Sequence, residues 1–306
     1  MNAGNKVLIA GGSGFIGSNL AKLLNSNGFD VAILTRNSKS KSVFEQIHWD
    51  IDKFTIDNNT FEEFDYIVNL AGASIAERKW SEKQKQKIEE SRLISTNLLF
   101  DAIKNLKKKP RAYIQASAVG YYGSITSEYI FNETDQAGSD FLAGVCKKWE
   151  DASLKFESLG VRTVVLRTGV VFDKTQGAFP KMTQSLKYGF VAGIGSGKQY
   201  IPWIHIDDLI SMYYYSIVNE KIKGIYNAVS PEHCTQNELT KRIKIITRKI
   251  KLPNLPEILL KAFLGEMSSI LLYGSRITSD KIIKTGFKFK YEKIEDALPV
   301  LLKKNV

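Results

Sequence analysis

A chain of 306 residues that is 43% hydrophobic can bury one large α/β core or two unequal ones; Cys146, Cys234 and three scattered histidines (His48, His205, His233) exclude a disulfide framework and any metal-ligand spacing. The formal charge of +11 is dispersed, and its clusters at 104–109 and 241–251 lack interleaved aromatics, so they read as solvated helix faces and no nucleic acid or membrane partner is expected. No run reaches the roughly 18 apolar residues of a bilayer span and the opening MNAGNK has no apolar leader core, from which a cytoplasmic location is expected.

Val7, Leu8, Ile9 and Ala10 form a short apolar run that reads as a buried parallel strand. Gly12, Gly14 and Gly17 follow at G-x-G-x-x-G spacing, ahead of a helical pattern (Phe15, Ile16, Leu20, Leu23, Leu24) that ends at Gly28. In a dinucleotide site such glycines allow the tight turn, the close approach of a pyrophosphate and the packing of helix on strand. Residues 31–34 read as a second strand ending at Thr35, Arg36 and Asn37, where an acidic residue would select NAD. Arg36 offers a planar cation to a 2′-phosphate instead, so NADP(H) is favoured.

Residues 65–70 give another strand, running into Ala71, Gly72 and Ala73, small enough to pass close to a cofactor. The stretch from Glu77 predicts one long helix that ends before Pro110. Residues 112–116 predict a fourth strand with Ser117 to Gly123 at its C-terminal end, the end where open α/β sheets bind ligands. A helix over 141–159 and a strand over 161–167, leaving through 168–172, complete a strand and helix alternation. The fold class is therefore α/β, a doubly wound parallel sheet of Rossmann type with a smaller α+β C-terminal part. Residues 1–176 are expected to bind the nucleotide, with part of 200–230 completing the sheet, and 177–306 to cover the substrate. Thr235 is expected to cap a helix, and 253–304 to form a small, mostly helical appendage.

Together, GGSGFIG (11–17), NLAG (69–72), the serine-bearing strand end followed by YYG (121–123) and WIHIDDL (203–209) resemble the extended short-chain dehydrogenase/reductase superfamily. More narrowly, Lys79, Trp80, Lys87, Ser91 and Arg92, the FLAxVCxxWE segment (141–150) and the segment ending in GSRITSDKIIKTGFKFKY resemble the epimerase-family proteins of short-chain dehydrogenase/reductase family 39U and its bacterial homologues. The resemblance implies an NADP(H) site in which Gly11, Gly12, Ser13, Gly14, Phe15, Ile16 and Gly17 line the pyrophosphate. Thr35 and Arg36 would meet the 2′-phosphate, Leu70, Ala71 and Gly72 the ribose and pyrophosphate path, and Arg92 and Val171 would complete the site.

Superfamily oxidoreductases pair a serine with a Tyr-x-x-x-Lys diad on one helical face, the lysine lowering the tyrosine's pKa from about 10. Ser117 is in place. With Glu150 aligned to the glutamate that ends the diad's motif, however, the tyrosine and lysine positions hold Leu142 and Cys146, and no tyrosine occurs between Ile130 and Lys187. Tyr122 is the leading substitute acid; Cys146 as a nucleophile and His205 as an acid or base are alternatives, and Trp80, Tyr121 and His205 are candidate substrate contacts. Three functions stay open: an NADP(H)-dependent reductase or epimerase-like enzyme on a small-molecule substrate, a non-catalytic NADPH sensor, and an acid-independent reductase of a flavin- or quinone-like acceptor. The helices around 80–108 and 141–159 could also form a homodimer's bundle.

Overall fold

In the short apolar runs, alternate side chains serve opposite faces of one sheet, so both faces must be covered. The computed structural model describes residues 5–36, 42–51, 53–56 and 61–303; Asn37, the first four residues and Lys304 lie outside them. Eight strands make the main sheet: β1 (Lys6–Ala10), β2 (Asp30–Thr35), β3 (Glu45–Asp50), β4 (Thr55–Ile56), β5 (Tyr66–Asn69), β6 (Ala112–Ala118), β7 (Arg162–Thr168) and β8 (Gly224–Ala228). Their order is β8-β7-β6-β5-β1-β2-β3-β4, parallel throughout except for the antiparallel β3–β4 edge. The chain steps one way from β1 to β2 and the other way to β5, so the topological switch point lies between the C-terminal ends of β1 and β5.

Val7, Ile9 and Ile33 pack with Leu20 and Leu24 of α1 (Phe15–Ser26), while Leu8, Ala10 and Leu34 on the other face meet Leu99 and Ile103 of α2 (Glu82–Lys104). Beside α2 lies α3 (Phe141–Leu154), joined to it by Lys148–Glu89 at 2.7 Å, while Phe141 packs edge-on to Trp80 in the loop before α2. On the α1 face, α4 (Ile206–Val218) buries Leu209, Met212 and Tyr213.

Several boundaries differ from the predicted ones. The long helix starts at Glu82 rather than Glu77, because the Ser81 hydroxyl accepts the Gln84 N–H and starts it there; 73–80 is a loop. β6 runs on through Ser117 and Ala118, and the 141–159 helix tightens to a 3₁₀ turn after Leu154. β3 and β4 have no counterpart in the predicted elements, since only Ile47 and Trp49 of β3 are buried and two apolar residues make a faint period. Thr235 does cap α5 (Gln236–Thr247), in a reciprocal capping box with Glu238.

The C-terminal segment is not an appendage. Phe287 and Phe289 enter the main core beside α4, while Tyr291, Ile294 and Leu298 join Phe172, Trp203 and Leu239 in a second one. Asp208 of the WIHIDDL stretch fastens it: its buried carboxylate accepts the backbone N–H groups of Lys290 (2.6 Å) and Tyr291 (3.0 Å). Leu298 is wholly buried and Val300 is 45% exposed. Leu298→Ala is therefore expected to cost about 2–5 kcal/mol in denaturant unfolding and Val300→Ala no more than about 0.5 kcal/mol; equal effects would show that this segment does not share in the core.

Candidate active site

The loop between β1 and α1 is built by steric exclusion. Gly11 has φ +77°, where a side chain is strained, and a Cβ there would sit 2.9 Å from the Leu70 carbonyl carbon. At Gly12 a Cβ would meet Ile33 Cγ2 at 2.4 Å, and at Gly17 it would meet the Gly11 carbonyl oxygen at 2.3 Å. These two let the helix seat on the sheet, whereas Gly14 is exposed and crowded only by the Gly11 oxygen, 3.2 Å away, which leaves backbone open to a ligand. Ser13 is also exposed, with Phe15 and Ile16 half-buried at the helix start, whose first N–H groups have no intrahelical acceptor. Thr35 is buried at the end of β2 and Arg36 follows it, exposed.

Across the switch point, Asn69 is wholly buried and its Oδ1 accepts the Ala71 N–H at 3.1 Å, while its amide donates to Tyr113 and Gln115, each at 3.1 Å. This fixes the Leu70-Ala71-Gly72 path beside Gly11. A side chain at Gly72 would meet the Arg92 guanidinium carbon at 3.2 Å, so Arg92 lies against that path. Arg92 Nη1 donates to the carbonyls of Ala73 (3.1 Å) and Ile88 (2.8 Å), and the guanidinium stands 5.0 Å over the Trp149 ring. Burial pulls its pKa down, and among the described residues no carboxylate pairs with it. A cation held this way fits an anionic ligand, as the glycine loop does.

The end of β6 is occupied differently. Ser117 is buried, and its hydroxyl donates to Glu150 Oε1 at 2.6 Å. Glu150 is clamped by Arg167, the cross-strand partner of Ser117 on β7, through Nε (2.9 Å) and Nη2 (2.8 Å). Burial opposes the charge on Arg167, but the hydrogen bonds and negative charge of Glu150, with Tyr122, together outweigh it and hold the pKa above the usual arginine range. Arg167 Nη1 reaches the Tyr122 hydroxyl at 3.0 Å, and that hydroxyl donates to Asn227 Oδ1 at 2.7 Å. Tyr122 is 3% exposed, and burial pushes its pKa up to about 12. The structure thus takes it out of the cleft and makes it a poorer acid than free tyrosine.

Leu142, Cys146 and Glu150 recur at four-residue spacing along α3 and face the strand end, a Cβ at Gly120 falling 3.5 Å from Leu142 and 3.9 Å from the Cys146 sulfur. Cys146 is buried, and burial together with Glu150's negative charge pushes its thiol up to about 12, which removes it as a nucleophile. Tyr121 stays half-buried, its ring stacked 3.4 Å from the Arg167 guanidinium carbon.

Two expected contacts turn inward. The Trp80 indole donates to the Ile75 carbonyl at 2.8 Å, and His205 Nδ1 accepts the Asp207 N–H at 3.1 Å as the cap of α4. His205 is 4% exposed with its ring 4.1 Å from that of Tyr291, and burial lowers its pKa; it packs rather than lines the cleft. Val171 is half-buried, and its carbonyl abuts Gly177, which in turn lies against Phe15 at the loop's mouth. Arg167 and Asn227 escaped the reading of the sequence; the signal was a cation and an amide closing otherwise apolar strands.

Residues 7–228 match the profile of the NAD dependent epimerase/dehydratase family, and residues 255–299 that of a domain of unknown function, DUF1731. The chain is 34% identical to the epimerase family protein YfhF of Bacillus subtilis, covering 97% of each, and 33% identical to the chloroplastic SDR39U1 homolog of Arabidopsis thaliana, over 97% of this chain and 86% of that one. Among solved structures, human SDR39U1 with NADPH superposes at a TM-score of 0.85 with 29% identity, covering 98% of this chain and 100% of that one. UDP-glucuronic acid 4-epimerase of Bacillus cereus, in complex with UDP-glucuronic acid and NAD, is similar in fold at 0.76 and 18% identity, over 96% and 97%. With the switch-point cleft, the glycine loop and matches of this length, the chain belongs to the NAD dependent epimerase/dehydratase family.

Proposed function

We propose that this chain binds NADP(H) and passes hydride to a flat, conjugated, quinone-like acceptor that needs no proton from the protein. The carrying observation is the α3 face at the end of β6, where Leu142 and Cys146 present no acid and the Ser117 hydroxyl is already donated to Glu150. Gly11, Gly12, Ser13, Gly14, Phe15, Ile16 and Gly17 hold the pyrophosphate. Arg36 beside Thr35 meets the 2′-phosphate, and Leu70, Ala71, Gly72, Arg92 and Val171 line the rest of the nucleotide path. A nicotinamide supplies hydride when bound. A carbonyl substrate would also need a proton at the nascent alkoxide, and Ser117 and Tyr122 spend their hydroxyl hydrogens inside the fold. A quinone-like acceptor takes the electron pair into a delocalised oxyanion that water protonates, so positioning between Leu142 and Tyr121 supplies the rate. That human SDR39U1 was crystallised with NADPH supports the choice of cofactor.

Calorimetric titration with NADPH, followed by NADPH oxidation against quinone, aldehyde and sugar-nucleotide panels, tests this. Turnover of quinones alone is expected. Turnover of an aldehyde or sugar nucleotide would overturn the acid-free assignment, and tight binding without any turnover would make the protein a sensor.

Arg36→Ala is expected to weaken NADPH by about ten- to a hundredfold, the worth of one charge-assisted contact, and to leave NADH nearly unchanged. Equal losses for the two nucleotides would remove the 2′-phosphate contact.

Tyr122 and Cys146 each titrate only near 12, so both stay protonated well above neutrality and neither phenolate nor thiolate forms between about pH 6 and 9. kcat for quinone reduction should therefore be level over that range, and a basic limb that disappears in Tyr122→Phe would return the tyrosine to the chemistry.

A further inference from the structure

Only the first part of the basic cluster at 241–251 is a helix face: Lys241 and Lys244 are exposed on α5, and Arg248, Lys249 and Lys251 lie beyond it. α5 stops at Thr247, Arg248 turns the chain at φ +54°, and residues 250–251 pair with 190–191 as a short parallel ribbon. The Leu255 N–H then donates to the Gly193 carbonyl at 2.9 Å and seats the following helix, Glu257–Leu264, beside the ribbon. That helix reads EILLKAFL, yet only Leu260 of it is buried. Ile258 is 79% exposed and Phe263 68%; Ile250 on the ribbon is 70% exposed and Tyr188, just before it, 75%. A mostly apolar helix left facing outward, with Ile250 of the ribbon exposed beside Lys251, is a surface that wants a cover.

Charge identifies that cover. Between Glu238 and Glu257 the sequence holds no acidic residue. Arg242 turns inward to Glu232 and Glu295, but Lys241, Lys244, Arg248, Lys249 and Lys251 are exposed and, among the described residues, take part in no ion pair. We propose that this face docks on an anionic lipid bilayer, with Ile250, Ile258 and Phe263 entering the headgroup boundary and the lysines and Arg248 meeting lipid phosphates. No helix among the described residues is long and apolar enough to cross a membrane, so the contact is peripheral. A second copy of the chain would bring the same five cations against themselves, and a nucleic acid would leave the apolar side chains uncovered. None of the candidate nucleotide-site residues lies in the patch.

Flotation of the full chain with vesicles of phosphatidylcholine mixed with phosphatidylglycerol, and with vesicles of phosphatidylcholine alone, tests the assignment. Binding is expected to the mixed vesicles only and to fall as salt is raised. Ile258→Glu with Phe263→Glu should lower it by about tenfold or more, and Lys249→Glu with Lys251→Glu by about fivefold or more per charge. Both variants alter exposed side chains and should keep the parent's thermal midpoint and NADPH affinity, which separates loss of docking from loss of fold and from failure of the nucleotide assignment. No flotation, or equal binding to neutral vesicles, overturns the proposal. So does a dimer in size-exclusion chromatography that Ile258→Glu dissolves, or tight duplex DNA binding that survives in the Ile258→Glu, Phe263→Glu variant.

Discussion

The buried Glu150–Arg167 pair is the constraint around which the end of the sheet is assembled. Both side chains are almost wholly removed from water, 4% and 1% exposed, so each is tolerable only while the other neutralises it. Satisfying the pair recruits its neighbours: the Ser117 hydroxyl from β6 donates to Glu150, the Tyr122 oxygen accepts from Arg167 Nη1, and Asn227 on β8 accepts the tyrosine's own O–H. Three adjacent strands and α3 are thereby locked in register around it. Ser117 and Tyr122 hydrogen-bond within the fold, and α3 turns Leu142 and the buried Cys146 thiol toward the end of β6.

Two other polar nodes follow the same logic. Asn69 sits under the switch point and uses its side chain to hold the next two residues of backbone, so that the NLAG path lies within van der Waals reach of Gly11. Asp208 does the same for the C-terminal segment through two backbone N–H groups, which buried main chain must find somewhere. In each motif the apolar residues supply the burial energy, while the single polar residue decides which backbone comes to rest there.

Periodicity was enough to reveal the parallel core, because strands such as VLIA are buried on both faces and the glycines after them answer to steric need. The edge was not legible: β3 shows only Ile47 and Trp49 to the core, and β4 has two residues. His205 was legible only as a choice between a cleft acid or base and a buried ring bonded to the backbone or to Asp207, and the Asp207 N–H decides for the second. Leu142 and Cys146, at four-residue spacing with Glu150, were legible as one face of a helix, and the structure sets them side by side against Gly120. What could not be read was the fate of Tyr122, because its partners Arg167 and Asn227 lie 45 and 105 residues away in sequence and meet it only through the strand order.

The C-terminal segment joins these two levels. Its inner residues, Ile294 and Leu298, close a core that also contains Phe172 and Trp203, whose paired strands include Val171 beside Gly177 and Phe15. Its outer helix turns Ile258 and Phe263 to solvent and buries only Leu260 of its eight residues. A helix so lightly buried gains little from its own packing, and its apolar sequence is unexplained by the fold it belongs to. The same residues gain their burial once a lipid surface lies against them, which is why the segment's outward composition, and not its inward one, calls for a function.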